Sequence, residues 1–419
     1  MSLVLACREI HARIVAEPIS QHQNCEGTPM KRIHFICLFL CLTTFATYRA
    51  QAQTETLLYN FCSQPNCSDG RSPLSSLIFD GAGNLYGTTG GADGHGYGSV
   101  FELSPNGGGG WNETVLYSFT GEADGGNPWH SPVIFDSAGN LYGTASSGGQ
   151  YGNGVVFELS PAGTSWTETV LYSFCSEPGC ADGANPRYGL IFDASGNLYG
   201  TTCNCGNSEN GKGVVFELSP SGGGWKEQVI YNQAGGGLTM DAENIFGTTF
   251  STVFELSPNG NGGWTPTVIS TFPEDSPMGT PVLDQAGNIY VARSGMNAGS
   301  VYKLSPGKKG KWTKKILFRF GGKRGSGPSG GLVLDAAGNI YGTTARGGYR
   351  QYGGFPFGTV FELIAPAGTG GYTEKVLWNF HGNDGFGPAS GPILYGGNLY
   401  GTTAIGGLYG WGVVYEVTP

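Results

Sequence analysis

Reactive groups at useful spacing are few in this chain. Beyond residue 52 the histidines are His95, His130 and His381, and no two of them have metal-ligand spacing. There is no G-x-S-x-G elbow and no phosphate-cradling loop before a helix. Carboxylates, thiols and aromatic rings are what remain. Asp69, Asp124, Asp182 and Asp384 are each followed by glycine and stand four residues before Pro73, Pro128, Pro186 and Pro388. Such a set has two readings: a partial ring of carboxylates for Ca²⁺ or a polyol, or an Asx-type turn leading into a proline. Recurrence at a fixed offset favours the turn, and no clustered D-x-D-x-D-G loop supports Ca²⁺.

Aromatic residues crowd the same kind of loop. Trp129, Tyr188, Tyr349, Tyr352, Phe355, Phe357 and Trp411 resemble the stacking platforms that sugar rings use, with Asp and Asn beside them. Tyr151 and Tyr409 occupy matching repeat positions and are assigned to packing between loops. Trp129-His130 and the insertion GGYRQYGGFPFG have no counterpart elsewhere and are the stronger binding candidates. Glu102, Glu158, Glu217, Glu255, Glu362 and Glu416 recur in nearly every repeat. A residue so repeated serves the repeat rather than a reaction. Two acids meeting across a channel would make a hydrolase, but no pair is located by the sequence.

Cysteine use depends on compartment. Met30-Lys31-Arg32, an apolar run from Ile33 to Phe45 and Ala50-Gln51-Ala52 form a secretory signal. Residues 1–29 are then an upstream extension or a mis-assigned start, 30–52 the signal peptide, and 53–419 the mature chain. Export leaves Cys62, Cys67, Cys175, Cys180, Cys203 and Cys205, an even count that favours disulfides. Cys62 with Cys67, and Cys175 with Cys180, would each close a short loop. Cys203 and Cys205 are too close for an unstrained bridge, and a four-thiolate zinc site with Cys175 and Cys180 is the less favoured alternative.

The elements that position these residues are repeats. The Asn of a G-N-L-Y turn falls at 84, 140, 197, 244, 288, 339 and 398, at intervals of 44 to 59 residues, overlapping the periods of propeller blades. Each unit holds four short apolar runs, as in LIFD, NLYGTT, SVFELS and ETVLYSF, separated by turn residues. A blade with apolar residues on both faces cannot bury them alone; stacking into a ring does. The last unit stops after VVYEVT, while a spare fourth strand, Thr56 to Phe61, precedes the first. The expected fold is therefore all-β: a seven-bladed β-propeller of four-stranded antiparallel blades, with the N-terminal strand completing the last blade.

GNLYGTT followed by GVVFELSP resembles the bacterial Gloeo/Verruco tandem-repeat family, and D-x-x-G-N-L-Y is similar to a turn of NHL-type propellers. The first resemblance covers most of the mature chain and implies an exported repeat protein without an assigned reaction. The second is one turn long and implies no site.

The 31 acids against 22 basic residues give a net charge of −9, which argues against general nucleic-acid binding. Nine of those basic residues lie between Lys303 and Arg324. They read as a solvated strand edge, with docking to an anionic envelope polymer as the alternative. No transmembrane span is expected, nor any cofactor or metal, and a monomer is expected. Binding sites should lie on the face carrying the long loops between strands two and three and between blades, or at the channel mouth there. The leading functional reading is a non-enzymatic secreted module that binds a glycan or an envelope protein. A carbohydrate- or ester-cleaving enzyme with acids at the channel mouth, and a purely structural secreted protein, are the alternatives. Intact-mass analysis of the exported protein should find a chain beginning at Gln53; a mature chain still carrying residues 30–52 would refute the processing assignment.

Overall fold

The computed structural model describes residues 53–91, 96–204, 212–272, 276–277, 279–294, 298–321, 324–348, 357–388 and 390–419. Seven antiparallel sheets follow one another along the chain, each built on four strands. The second blade shows the pattern: Ile134–Phe135, Leu141–Ala145, Val155–Ala162 and Ser165–Ser173, hydrogen-bonded in sequence order. In the last blade Ile393–Tyr395, Asn398–Thr403 and Val413–Thr418 are completed by Thr54–Asn60, with Thr54 opposite Thr418 and Asn60 opposite Val413. The two ends of the propeller are thus neighbours in one sheet, as the repeat count required.

Turn chemistry between strands one and two is the same in most blades. Asp136 Oδ1 accepts the backbone N–H groups of Ala138 and Asn140 at 2.8 and 2.9 Å, while Oδ2 accepts from Asn140 Nδ2 and the Tyr142 hydroxyl. Asp80, Asp193, Asp284 and Asp335 do likewise. The recurrent Asp, Asn and Tyr are therefore one hydrogen-bonded unit. The last blade has Tyr395 in place of the Asp and turns on Gly396-Gly397, both at positive φ, which suits a two-residue hairpin.

Burial follows the aromatic residues. The strand-three rings of Phe101, Phe157, Phe216, Phe254, Phe361 and Tyr415 are fully buried. A side chain on the facing strand-two glycine would collide with each: a Cβ on Gly143 would lie 2.6 Å from the Phe157 ring, and one on Gly200 2.4 Å from Phe216. The glycine of N-L-Y-G-T-T thus exists to admit the ring. The opposite edge of each ring meets the terminal aromatic of the preceding blade's fourth strand. The pairs Phe61–Phe101, Phe119–Phe157, Phe174–Phe216, Phe320–Phe361 and Phe380–Tyr415 have centroids 4.9 to 5.1 Å apart, the spacing at which aromatic pairs attract. Tyr231–Phe254 and Phe272–Tyr302 complete the circuit.

A β-bulge makes this contact reachable. In every fourth strand the register slips by one residue, as between Val170 and Tyr172, and at the same place in the other six. The bulge bends the strand end toward the next blade. Simple alternation along V-L-Y-S-F had not implied it. The innermost strands also differ from a plain apolar run. Ile78–Phe79 and its counterparts in most blades are only two or three residues long, and small residues precede them. Among these, Gly330 and Gly391 have no room for a Cβ, which would fall within 2.2 Å of the neighbouring backbone.

Replacing Phe157 by Ala removes both contacts at once. The expected cost is about 3–5 kcal/mol, read as a lowered urea midpoint with an unchanged slope; wild-type stability would contradict this account of inter-blade packing.

Candidate functional site at the channel mouth

Inter-blade loops are held by two devices that together explain the Asp-Gly-x-x-Pro pattern. The first is the Asp. Asp69 accepts hydrogen bonds from the Tyr59 and Ser63 hydroxyls and from the Ser63 and Gln64 N–H groups. Asp182 repeats this with Tyr172, Ser176 and Glu177. Asp124 takes Tyr117 and Thr120, and Asp384 takes Trp378 Nε1 and the His381 N–H. Each carboxylate is engaged by its own loop and the end of the preceding strand.

The second device is the residue before proline. Ser72, Asn127 and Asn185 have φ of 52°, 55° and 55°, and Gly327 and Gly387 share that left-handed backbone. Their N–H groups donate to the carbonyls of Trp411, Tyr97, Asn153, Ala298 and Phe357 in the preceding blade, at 2.6 to 2.8 Å. Disulfides stiffen two of these loops, joining Cys62 to Cys67 and Cys175 to Cys180. Those bonds leave Cys175 and Cys180 no thiolate for zinc. Cys203 has no disulfide to a described cysteine, and Cys205 lies outside the described residues. No group of three or more potential metal ligands occurs among the described residues.

These bonds also place several binding candidates. Phe357 and Trp411 occupy the latch position, Phe357 packing edge-on to Phe386 with centroids 5.3 Å apart and Trp411 lying 4.9 Å beneath the Arg71 guanidinium. Trp129 is 41% exposed and covers the backbone of Gly90. Tyr349, Tyr352 and Phe355 lie outside the described residues. Two lysines of the fifth blade are engaged by the ring itself: Lys303 sits 5.2 Å from the centre of the Tyr290 ring in its own sheet, and Lys314 donates at 2.8 Å to the carbonyl of Thr271 in the last strand of the preceding blade.

His130 and Tyr188 are brought together with residues that sequence reasoning had not singled out. The breaks before the inner strands surround a cavity of about 460 Å³, open on the long-loop face. Leu74, His130, Arg187, Tyr188 and Phe250 supply its larger side chains, with the Cys203 thiol among them, and Gly235, Gly279, Gly330, Gly331 and Gly391 line it with backbone. Threonines behind this wall fix its backbone. Thr88 donates to the Pro128 carbonyl, Thr144 to Tyr188, Thr201 to Gly236, Thr248 to Gly279, Thr343 to Ser390 and Thr402 to Ser75, at 2.8 to 3.4 Å. In the fifth blade Ala292 takes the threonine's place.

Side-chain asymmetry marks this mouth as more than a seam. Six residues before the first-strand Asp stand Leu74, His130, Arg187 and Gly235 in the first four blades. The fold accepts any of them, so the position is free to vary. Burial, and then the Arg187 charge, lower the His130 pKa, with a hydrogen bond to the Leu74 backbone opposing. Burial pushes the Tyr188 hydroxyl up to about 12 and also raises the Cys203 thiol. Imidazole, phenol and thiol are therefore neutral near pH 7, and the charge belongs to Arg187. An unrepeated Arg-Tyr pair at a variable repeat position was the signal available for Arg187.

A different set of acids titrates unusually. Burial first, and then the neighbouring loop aspartates, raise Glu55 and Glu168 to about 7 and Glu227 to about 8. Glu374 is raised to about 7 by burial, against the pull of Arg324. One oxygen of each is buried with no hydrogen-bond partner among the described residues. Because folding raises these pKa values, the folded ring holds more protons than the unfolded chain between about pH 4.5 and 8. Their stabilisation is complete below the unfolded value and lost as pH rises through 7 to 8. The melting temperature should therefore fall from pH 5 to pH 8.5, and Glu227→Gln should flatten the slope; a Tm rising over that interval would reverse the assignment.

Seven four-stranded antiparallel sheets around one axis define a seven-bladed β-propeller. The chain belongs to the Gloeobacter/Verrucomicrobia repeat family, whose model matches residues 43–251. No curated protein matches the chain. Among solved structures, an ulvan lyase of a polysaccharide lyase family is 12% identical, with 84% of this chain and 90% of that one covered and a TM-score of 0.51. The extracellular domain assigned to a hybrid two-component system of B. thetaiotaomicron is 14% identical, with 87% of this chain covered and a TM-score of 0.51. This chain spans only 41% of that protein. At such identities the likeness establishes the fold.

Proposed function

We propose that the protein is an exported, non-enzymatic binding propeller that takes a glycan at the channel mouth of its long-loop face. The observation that carries this reading is the cavity of about 460 Å³. It is large enough for one or two sugar units and falls within the size range of small-molecule sites. Its walls suit sugar: the Tyr188 and Phe250 rings on one side, the Ser76, Thr280 and Ser294 hydroxyls around it, and a glycine-lined floor that leaves room. The backbone under Tyr188 is pinned by Thr144, so the platform is presented by rigid strands.

Binding is favoured over hydrolysis by where the acids are. The described lining offers no carboxylate pair of the kind that cleaves glycosidic bonds, and Asp69, Asp124, Asp182 and Asp384 are consumed by their loops. Two disulfides suit an oxidising compartment, and no helix among the described residues is long and apolar enough to cross a membrane. A glycan array probed with residues 53–419, followed by calorimetry on the best ligand, tests the reading. Tyr188→Ala should weaken that ligand at least tenfold with Tm unchanged. Absence of any glycan binding, or an unaffected Tyr188→Ala protein, would remove the basis for placing a sugar at the mouth.

A further inference from the structure

Arg187 stands out against everything around it. It is an exposed residue on the cavity wall, and no ion pair joins it to any described residue. In a chain with 31 acids and 22 basic residues, a guanidinium with no carboxylate partner among the described residues, on the wall of the axial cavity, is not explained by packing. Nor is it explained by the repeat, since the equivalent positions hold Leu74, His130 and Gly235.

Its surroundings are those of a receptor for negative charge. The other titratable groups in the described lining are His130, Tyr188 and Cys203, and all three are kept neutral near pH 7. Thr280 and Ser294 add hydroxyl donors around the same space, while the Ser76 hydroxyl donates to the Gly391 carbonyl at 3.0 Å. A charge with no counter-charge among the described residues of a walled mouth binds an anion more strongly than it would on an open surface. The planar fork of a guanidinium matches two oxygens of one group.

Building on the glycan reading above, we infer that the ligand carries an anionic substituent, a carboxylate or a sulfate ester, and that Arg187 is the residue that holds it. Specificity then comes from one side chain, while the aromatic and hydroxyl walls supply affinity shared with neutral sugars.

Calorimetry with three probes separates the possibilities: an oligogalacturonate, the methyl ester of the same chain, and a carrageenan oligosaccharide bearing sulfate esters. One acidic probe should bind at least tenfold more tightly than the methyl ester, and which one does so identifies the substituent. Raising NaCl from 50 to 300 mM should narrow that difference. Arg187→Gln should bring the acidic probe to the level of the ester with Tm unchanged, and Arg187→Lys should restore only part of the preference. Binding of both acidic probes no tighter than the methyl ester, or a preference that survives Arg187→Gln, would overturn the inference. If neutral array glycans bind while both acidic probes fail, the inference falls and the glycan reading stands; if no glycan binds at all, both fall.

Discussion

The whole structure depends on a contact that no blade can complete by itself. In six of the seven blades the strand-three ring is seated on its own blade's glycine, and in all seven it is closed over by the last aromatic of the blade before it. A Phe ring buries a large apolar area only when both sides are covered, so a single sheet leaves half of that gain unrealised. The consequence is a chain of obligations that ends only when the last blade finds the first. Sheet hydrogen bonds shape the blades, but the aromatic circuit is what makes a ring of them preferable to seven independent sheets.

The fifth blade shows how far this constraint can be bent. Val291 stands where the seating glycine should be, and Tyr302 replaces the Phe. A buried arginine, Arg293, replaces the usual Thr and donates to the Tyr302 hydroxyl at 3.0 Å, its guanidinium 5.5 Å from the centre of the Phe272 ring. The substitutions form a set: a larger strand-two side chain, a ring with a polar end, and a cation that satisfies it. One blade thus has a different internal solution while presenting compatible edges to its neighbours.

Periodicity made the architecture legible because a propeller repeats its apolar pattern and its turn chemistry together. The G-N-L-Y turns marked the blades, and the surplus strand at Thr56–Phe61 marked the closure. Recurrence also assigned the loop aspartates to turns, and their hydrogen bonds show why: each fixes the start of an inter-blade loop. The bulge in every fourth strand was hidden, since one extra residue in an apolar run looks like more of the run. Left-handed backbone at Ser72, Asn127 and Asn185 was hidden too, because a residue before proline usually reads as extended. His130 and Tyr188 could be chosen as unrepeated residues near a loop, but their convergence with Arg187 required knowing that separate blades bring their variable positions to one axis.

Closure by the N-terminal strand also sets an order of events. Thr54–Asn60 is the first of the described strands to be synthesised, yet its partner Val413–Thr418 is the last of them. That pairing has the longest sequence separation in the molecule, and contacts of this kind form late and slowly. Until then the growing polypeptide holds an unmatched edge at its front and an uncovered ring, Tyr415, still to come at its rear. The step that locks the ring therefore waits on Val413–Thr418, and every blade before it must hold its own hairpins together while the circle is still open.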